Sequence, residues 1–138
     1  MEMEITFPGG ARVDATYKEF IIETDQPPRR GGEGSAPPPF TLFLASIGTC
    51  VGIYVLGFCR QRGIPTENIR IRQSMEFGPT TRMVERINLD IDLPEDFPEH
   101  YAPALIRSAK LCAVKKHLEK PPEFNIRTHV TQVAASTR

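Results

Sequence analysis

The chain of 138 residues has no tryptophan, no net charge and only three cysteines. Its 17 basic and 17 acidic residues cancel. Neither sign gathers into a run, so the electrostatic footprint that nucleic acid or an anionic membrane surface requires is missing. The opening MEMEITFPGG has neither the basic start nor the apolar stretch of a secretory signal. An odd number of cysteines in apolar surroundings argues against a disulfide scaffold and fits a reducing, cytoplasmic setting. No glycine-rich phosphate loop follows a strand, no serine nucleophile elbow is present and no internal repeat is found. The cysteines also lack close ligand spacing to His100, His117 or His129, so neither a cofactor nor a metal is expected. A chain of this length buries roughly two thirds of its unfolded surface, enough for one domain with an ordinary core.

What the sequence does have is one long uncharged run, Phe40 to Phe58, FTLFLASIGTCVGIYVLGF. Extended to Arg62 it makes a helix of about 33 Å, as long as a globule of this size is wide. Nineteen uncharged residues approach the length of a membrane span. Thr41, Ser46, Gly48, Thr49, Gly52 and Gly57 lie within it, however, and the strands elsewhere need an apolar partner. We therefore read residues 40–62 as a central core helix, stopped by Gly63 and Pro65. Its glycines allow a second reading, two helices joined near Gly48-Thr49, which would put Cys50 in a first helical turn where a thiolate is favoured.

Residues 1–24 alternate apolar and polar side chains around the Pro8-Gly9-Gly10 turn and read as short antiparallel strands. Residues 25–39, DQPPRRGGEGSAPPP, form a long loop ahead of the helix and carry the adjacent Arg29 and Arg30. Residues 69–93 read as a β-hairpin, with Glu85, Asp90 and Asp92 on its solvent face. Residues 99–120 read as a second helix, with Cys112 inward and Lys115 and Lys116 placed to lower its pKa. A final strand over 124–133 and a frayed tail complete the chain.

Cys50 and Cys59 are about 13 Å apart along one helix, beyond disulfide reach. Cys50 and Cys112 lie on buried faces of helices that can pack together, which makes them the candidate redox pair. Pattern alone leaves them open as core residues too, since free cysteine is among the most buried residue types. His117, five positions from Cys112, lies off its face and is a poor base for it.

The runs SAPPPFTLFLASIGTCVGIYVLGFCRQRG and RSAKLCAVKKHLE, with this order of strands and helices, resemble the OsmC/Ohr superfamily of thiol-dependent peroxide reductases. The approach GGEGSAPPPF is most similar to its YhfA-like branch. The resemblance implies an α+β fold in which antiparallel sheets wrap two central helices in an intertwined homodimer, with active sites at the dimer interface. It implies that Cys50 attacks an organic hydroperoxide and that Cys112 resolves the sulfenic acid to a disulfide, which an external thiol reduces. Phe40, Phe43, Ile47 and Tyr54 are then expected to line an apolar substrate pocket. The family's glutamate ten residues before the reactive cysteine is Phe40 here, and its catalytic arginine corresponds to Arg12, or else to Arg29 or Arg30. The alternative is a non-catalytic protein of this fold that binds an apolar small molecule or a thiol compound.

Overall fold

In the N-terminal stretch, β1 (Glu4–Gly9), β2 (Arg12–Tyr17) and β3 (Phe20–Ile22) form an antiparallel sheet in that order. The first turn uses Gly9 and Gly10 at φ 141 and 58, and the second places Lys18 at φ 53. The computed structural model describes residues 1–132. None of the core residues comes from this sheet. Ile5, Phe7, Phe20 and Ile21 are exposed on it, so these four side chains find no cover among the described residues.

The long loop ends in Pro38-Pro39, where α1 (Pro39–Gln61) begins without a side-chain cap. Helix α1 is unbroken, and the alternative of two helices joined near Gly48 is not what forms. Gly48 serves instead as a crossing point. A Cβ there would lie 2.5 Å from the Gln73 side-chain oxygen, and Gln73 Nε2 donates to the Leu44 carbonyl at 2.9 Å. That hydrogen bond ties α1 to the hairpin of β4 (Arg70–Phe77) and β5 (Val84–Asp92). Ile71, Leu89 and Ile91 of the hairpin pack on the core. On its outer face Arg72 pairs with Asp92 at 2.6 Å and Arg86 with Glu76 at 3.0 Å, both pairs solvent-exposed. A register shift between Glu76 and Phe77 bends the strand near its tip.

One stripe of α1, Ile47, Val51, Val55, Phe58 and Cys59, is buried. Helix α1 is long and apolar enough to cross a membrane, yet in this fold that stripe carries the core. It packs with Phe97, Leu105, Ala109 and Cys112. Ile53, on the opposite face of the same helix, is exposed, and so is Phe40, which shares the stripe's face but stands at the start of the helix, one turn or more before the core.

Two expectations change. The second helix of residues 99–120 is divided: a 3-10 turn at Glu99–Tyr101 leads into α2 (Ala102–Ala109), and α3 (Ala113–Glu119) follows separately. The break at residues 110–112 contains neither glycine nor proline. It forms because Cys112 takes an extended conformation, φ −44 and ψ 122, and becomes the N-cap of α3. The final strand of 124–133 does not form within residues 124–132, which pair with nothing. Phe124, Ile126 and Val130 there are 84, 92 and 101% exposed. A strand needs a neighbour for its backbone groups, and this segment has none among the described residues. Val133 and the tail 134–138 lie outside the described residues.

Candidate thiol site

Cys50 sits on the middle of α1, half-buried, and faces the first turn of α3. A helix's first N–H groups have no intrahelical acceptor, and those of Val114 and Ala113 act on the Cys50 sulfur. The Val114 amide does most to lower the Cys50 pKa, against the opposing effect of burial, and the Cys112 thiol and the Ala113 amide add to it. Cys112 is fully buried. Its Sγ accepts the Lys115 N–H at 3.5 Å. Burial pushes its pKa up, the Lys115 amide opposes that, and the neighbouring Cys50 raises it further. The two thiols are thus driven apart in acidity. Cys50 is the more acidic of the two.

The lysines act differently from expectation. The Lys115 ammonium is drawn away to Glu119 at 2.6 Å, so Lys115 reaches Cys112 through its backbone amide. Cys59 is fully buried, and desolvation pushes its pKa up against the counteracting charge of Arg62. It has no part in the thiol pair.

Of the four expected pocket residues, two share a groove. Phe40 and Phe43 stack with ring centroids 5.6 Å apart. They line a groove of about 550 Å³ with Met83 and Ile87 of the hairpin and Leu118 of α3. Phe43 lies seven residues before Cys50, two turns away on nearly the same face of α1, and neither Cys50 nor Cys112 lines the groove itself. Ile47 is buried in the interior. Tyr54 lines a separate hollow with Phe58 and Arg62.

The arginines do not gather at Cys50. Arg12 Nη2 binds Asp14 at 2.7 Å and Glu23 at 2.9 Å. Arg29 and Arg30 are exposed on the 3-10 turn Pro28–Arg30. Within one chain, the described groups that act on Cys50 are the α3 amides and Cys112.

Sequence reasoning passed over Asp25. Its carboxylate is 1% exposed and accepts from the amides of Gln26 at 2.7 Å, Glu33 at 3.3 Å and Ser35 at 2.9 Å, and from the Ser35 hydroxyl at 2.7 Å. These donors, the Ser35 hydroxyl foremost, bring its pKa down to about 2. The Asp25 amide meets the Pro37 carbonyl at 3.4 Å, so the loop before α1 is closed around one carboxylate. Gly32 is obligatory in it, because a Cβ there would collide with the Gln26 carbonyl. The signal available was an aspartate opening a proline- and glycine-rich loop, where such side chains accept from nearby main-chain amides.

No curated protein matches this sequence. Among solved structures, the chain is similar to a protein of Psychrobacter arcticus 273-4 described as an osmotic-stress-induced and detoxification-response protein. The TM-score is 0.68 at 21% identity, over 83% of this chain and 85% of that one. It is similar to an OsmC-like protein of Mycoplasma pneumoniae, TM-score 0.60 at 17% identity, over 88% and 89% of the two chains. A third structure is described as an organic hydroperoxide resistance protein of Vibrio cholerae O1 with captopril in one of its active sites. It aligns with a TM-score of 0.52 at 19% identity, over 88% of this chain and 86% of that one. These likenesses show the α+β fold. Residues 32–127, well over half of the chain and including both Cys50 and Cys112, match the family model for OsmC-like proteins, and the chain belongs to that family.

Proposed function

We propose that this chain is a thiol-dependent peroxidase acting on organic hydroperoxides, with Cys50 as the attacking thiol and Cys112 as the resolving one. The observation that carries the reading is the placement of two free cysteines together, Cys50 of α1 packed against the buried cluster that holds Cys112 at the start of α3. The α3 amides and Cys112 lower the pKa of Cys50, and burial raises that of Cys112. A nucleophilic thiolate beside a protonated resolving thiol is the arrangement that reversible sulfenic acid chemistry needs. The Cys50 thiolate attacks the hydroperoxide oxygen. The S–O bond forms, the O–O bond breaks, and the alcohol leaves after taking up a proton. Cys112 then displaces water from the sulfenic acid, and an external thiol reduces the disulfide. The Phe40–Phe43 groove receives the apolar body of the substrate.

A homodimer belongs to this reading. The exposed Phe7, Phe20 and Ile21 of the N-terminal sheet and the unpaired Phe124, Ile126 and Val130 need cover, and a second copy supplies apolar surface and a sheet edge. The partner is also where an arginine beside Cys50 has to come from, whether Arg12, Arg29 or Arg30. The GGEGSAPPPF approach favours the YhfA-like branch, and the reliance on an external thiol favours the cytoplasm.

One observation supports a second reading, a non-catalytic binder of an apolar compound. The carboxylate of the family's peroxidases is replaced by Phe40, whose ring instead lines the groove. The two readings separate on the rate of Cys50 oxidation by cumene hydroperoxide against hydrogen peroxide, with the Cys50–Cys112 disulfide followed by mass spectrometry. Fast, organic-selective oxidation that ends in that disulfide is the peroxidase result. Oxidation no faster than that of a free thiol removes the enzyme and leaves the binder.

A further inference from the structure

Helix α3 is short, seven residues, and none of them is buried. Val114 is partly buried against the core, and the other attachments of the first turn run through sulfur. Cys112 Sγ caps the Lys115 amide, and the Ala113 and Val114 amides act on Cys50. At the other end of the same helix, Leu118 forms one wall of the groove lined by Phe40 and Phe43. The helix that supplies this wall is therefore docked at its first turn by the two sulfurs that oxidation would change.

We propose that the Cys112 thiol is a redox-labile helix cap: joining it to Cys50 undocks α3, withdraws Leu118 from the groove and discharges the occupant. This rests on the thiol pairing proposed above. In the oxidising step the Cys112 thiol attacks the Cys50 sulfenic sulfur. The S–S bond forms, the S–O bond breaks and water leaves with the Cys112 proton. The two electrons have gone to the hydroperoxide, which has become an alcohol, and two equivalents of external thiol later return them.

The cap fails for geometric and electrostatic reasons. Two free thiol sulfurs must close to about 2.05 Å to bond, so at least one side chain leaves its present direction. Helix α1 runs through the core and does not follow; α3, with one core contact, does. The product sulfurs also carry no charge, and a neutral disulfide is a poorer partner than a thiolate for amides at a helix N-terminus. The groove then binds its apolar guest in the reduced state and releases it in the oxidised one. Product departure is linked to turnover without any element beyond this helix.

The test is hydrogen exchange of the full-length protein, read by mass spectrometry over residues 113–119, in the reduced form and after oxidation by diamide. Binding of the neutral apolar probe N-phenyl-1-naphthylamine is measured in parallel. Diamide takes two electrons and two protons from a thiol pair, so it forms the disulfide whether or not the protein is a peroxidase. Exchange in this segment is expected to rise about tenfold or more on oxidation, the scale of a local opening, with weaker probe binding. Cys112→Ser keeps a strong cap and removes the disulfide, so its α3 should stay protected in either condition; Cys50→Ala serves the same purpose with the native cap. A mapped Cys50–Cys112 disulfide with exchange unchanged or slower overturns the proposal, as does failure of diamide to join the two. If cumene hydroperoxide fails where diamide succeeds and α3 loosens, the peroxidase reading falls and the switch stands.

Discussion

If main-chain amides acidify Cys50, deleting one N–H must weaken that acidity in a way no side-chain change reproduces. Val114→Pro is the direct perturbation. Residue 114 lies in the first turn of α3, where the N–H makes no intrahelical bond and proline's ring is sterically admissible. The substitution therefore removes the donor that does most to lower the Cys50 pKa and leaves the helical ladder intact. A hydrogen bond to a charged acceptor contributes about 1.5–3 kcal/mol, and the partial exposure of Cys50 reduces that to about 1 kcal/mol. At 1.36 kcal/mol per unit, the midpoint rises by about 0.7 of a pKa unit. Ala113→Pro deletes the weaker donor, at a position where the extended Cys112 already suits a following proline, and should move the midpoint less. Val114→Ala keeps the amide, loses some packing and should leave it in place. The assay is the pH dependence of iodoacetamide alkylation at Cys50, quantified by peptide mass spectrometry. The order Val114→Pro, then Ala113→Pro, then Val114→Ala is the signature. If Val114→Pro titrates with Val114→Ala, the amides do not set the acidity of Cys50 and the assignment of roles to the two thiols is wrong.

The Asp25 knot gives two further tests. Its folded pKa of about 2 lies below the ordinary 3.8, so the stability this carboxylate contributes is present above pH 3.8 and is lost as pH falls through about 2. Hydrogen exchange across residues 26–35 should accelerate in that acid window in the native protein. In Asp25→Asn it should be fast already at neutral pH, because the amide end of asparagine turns a donor toward donors; an unchanged exchange profile in that variant would show that the carboxylate does not hold the loop. Gly32→Ala drives a methyl into the Gln26 carbonyl, and relief of a backbone collision of this kind costs about 2 kcal/mol or more. A Tm lowered by about 5 °C or more is expected, and a Tm within a degree of the native value would mean that the loop shifts freely.

The parts of the fold written in side-chain periodicity were readable in advance. The uncharged run marks α1, and the period-two stretches mark β4 and β5 with their charges outward. The division of the second helix was not readable, because the residue that ends one helix and caps the next is a cysteine, which carries none of the usual stop or cap preferences. Residues 124–132 show the opposite failure. FNIRTHVTQ alternates as a strand does, but a strand is a relation between two segments, and the second is missing from the described chain. At the site, the sequence pointed to Cys50 and Cys112 but not to what distinguishes them. The Val114 and Ala113 amides are main-chain groups that any residue but proline supplies, so they leave no mark in the sequence. Ile47 and Tyr54 share the face of Phe43, four and eleven residues on, but they lie about one and three turns further along the helix, where the core takes Ile47 and a separate hollow takes Tyr54.

The tie between Gln73 and the Leu44 carbonyl joins the hairpin to α1 beside Gly48, two residues from Cys50. The register shift at Glu76 and Phe77 lies between that tie and the tip that carries Met83. One hairpin thus meets α1 at two places, by a hydrogen bond beside Gly48 and, past the irregular step, through Met83 at its tip, in the wall that it shares with Phe40 and Phe43. The two ends of one hairpin serve different parts of the same helix.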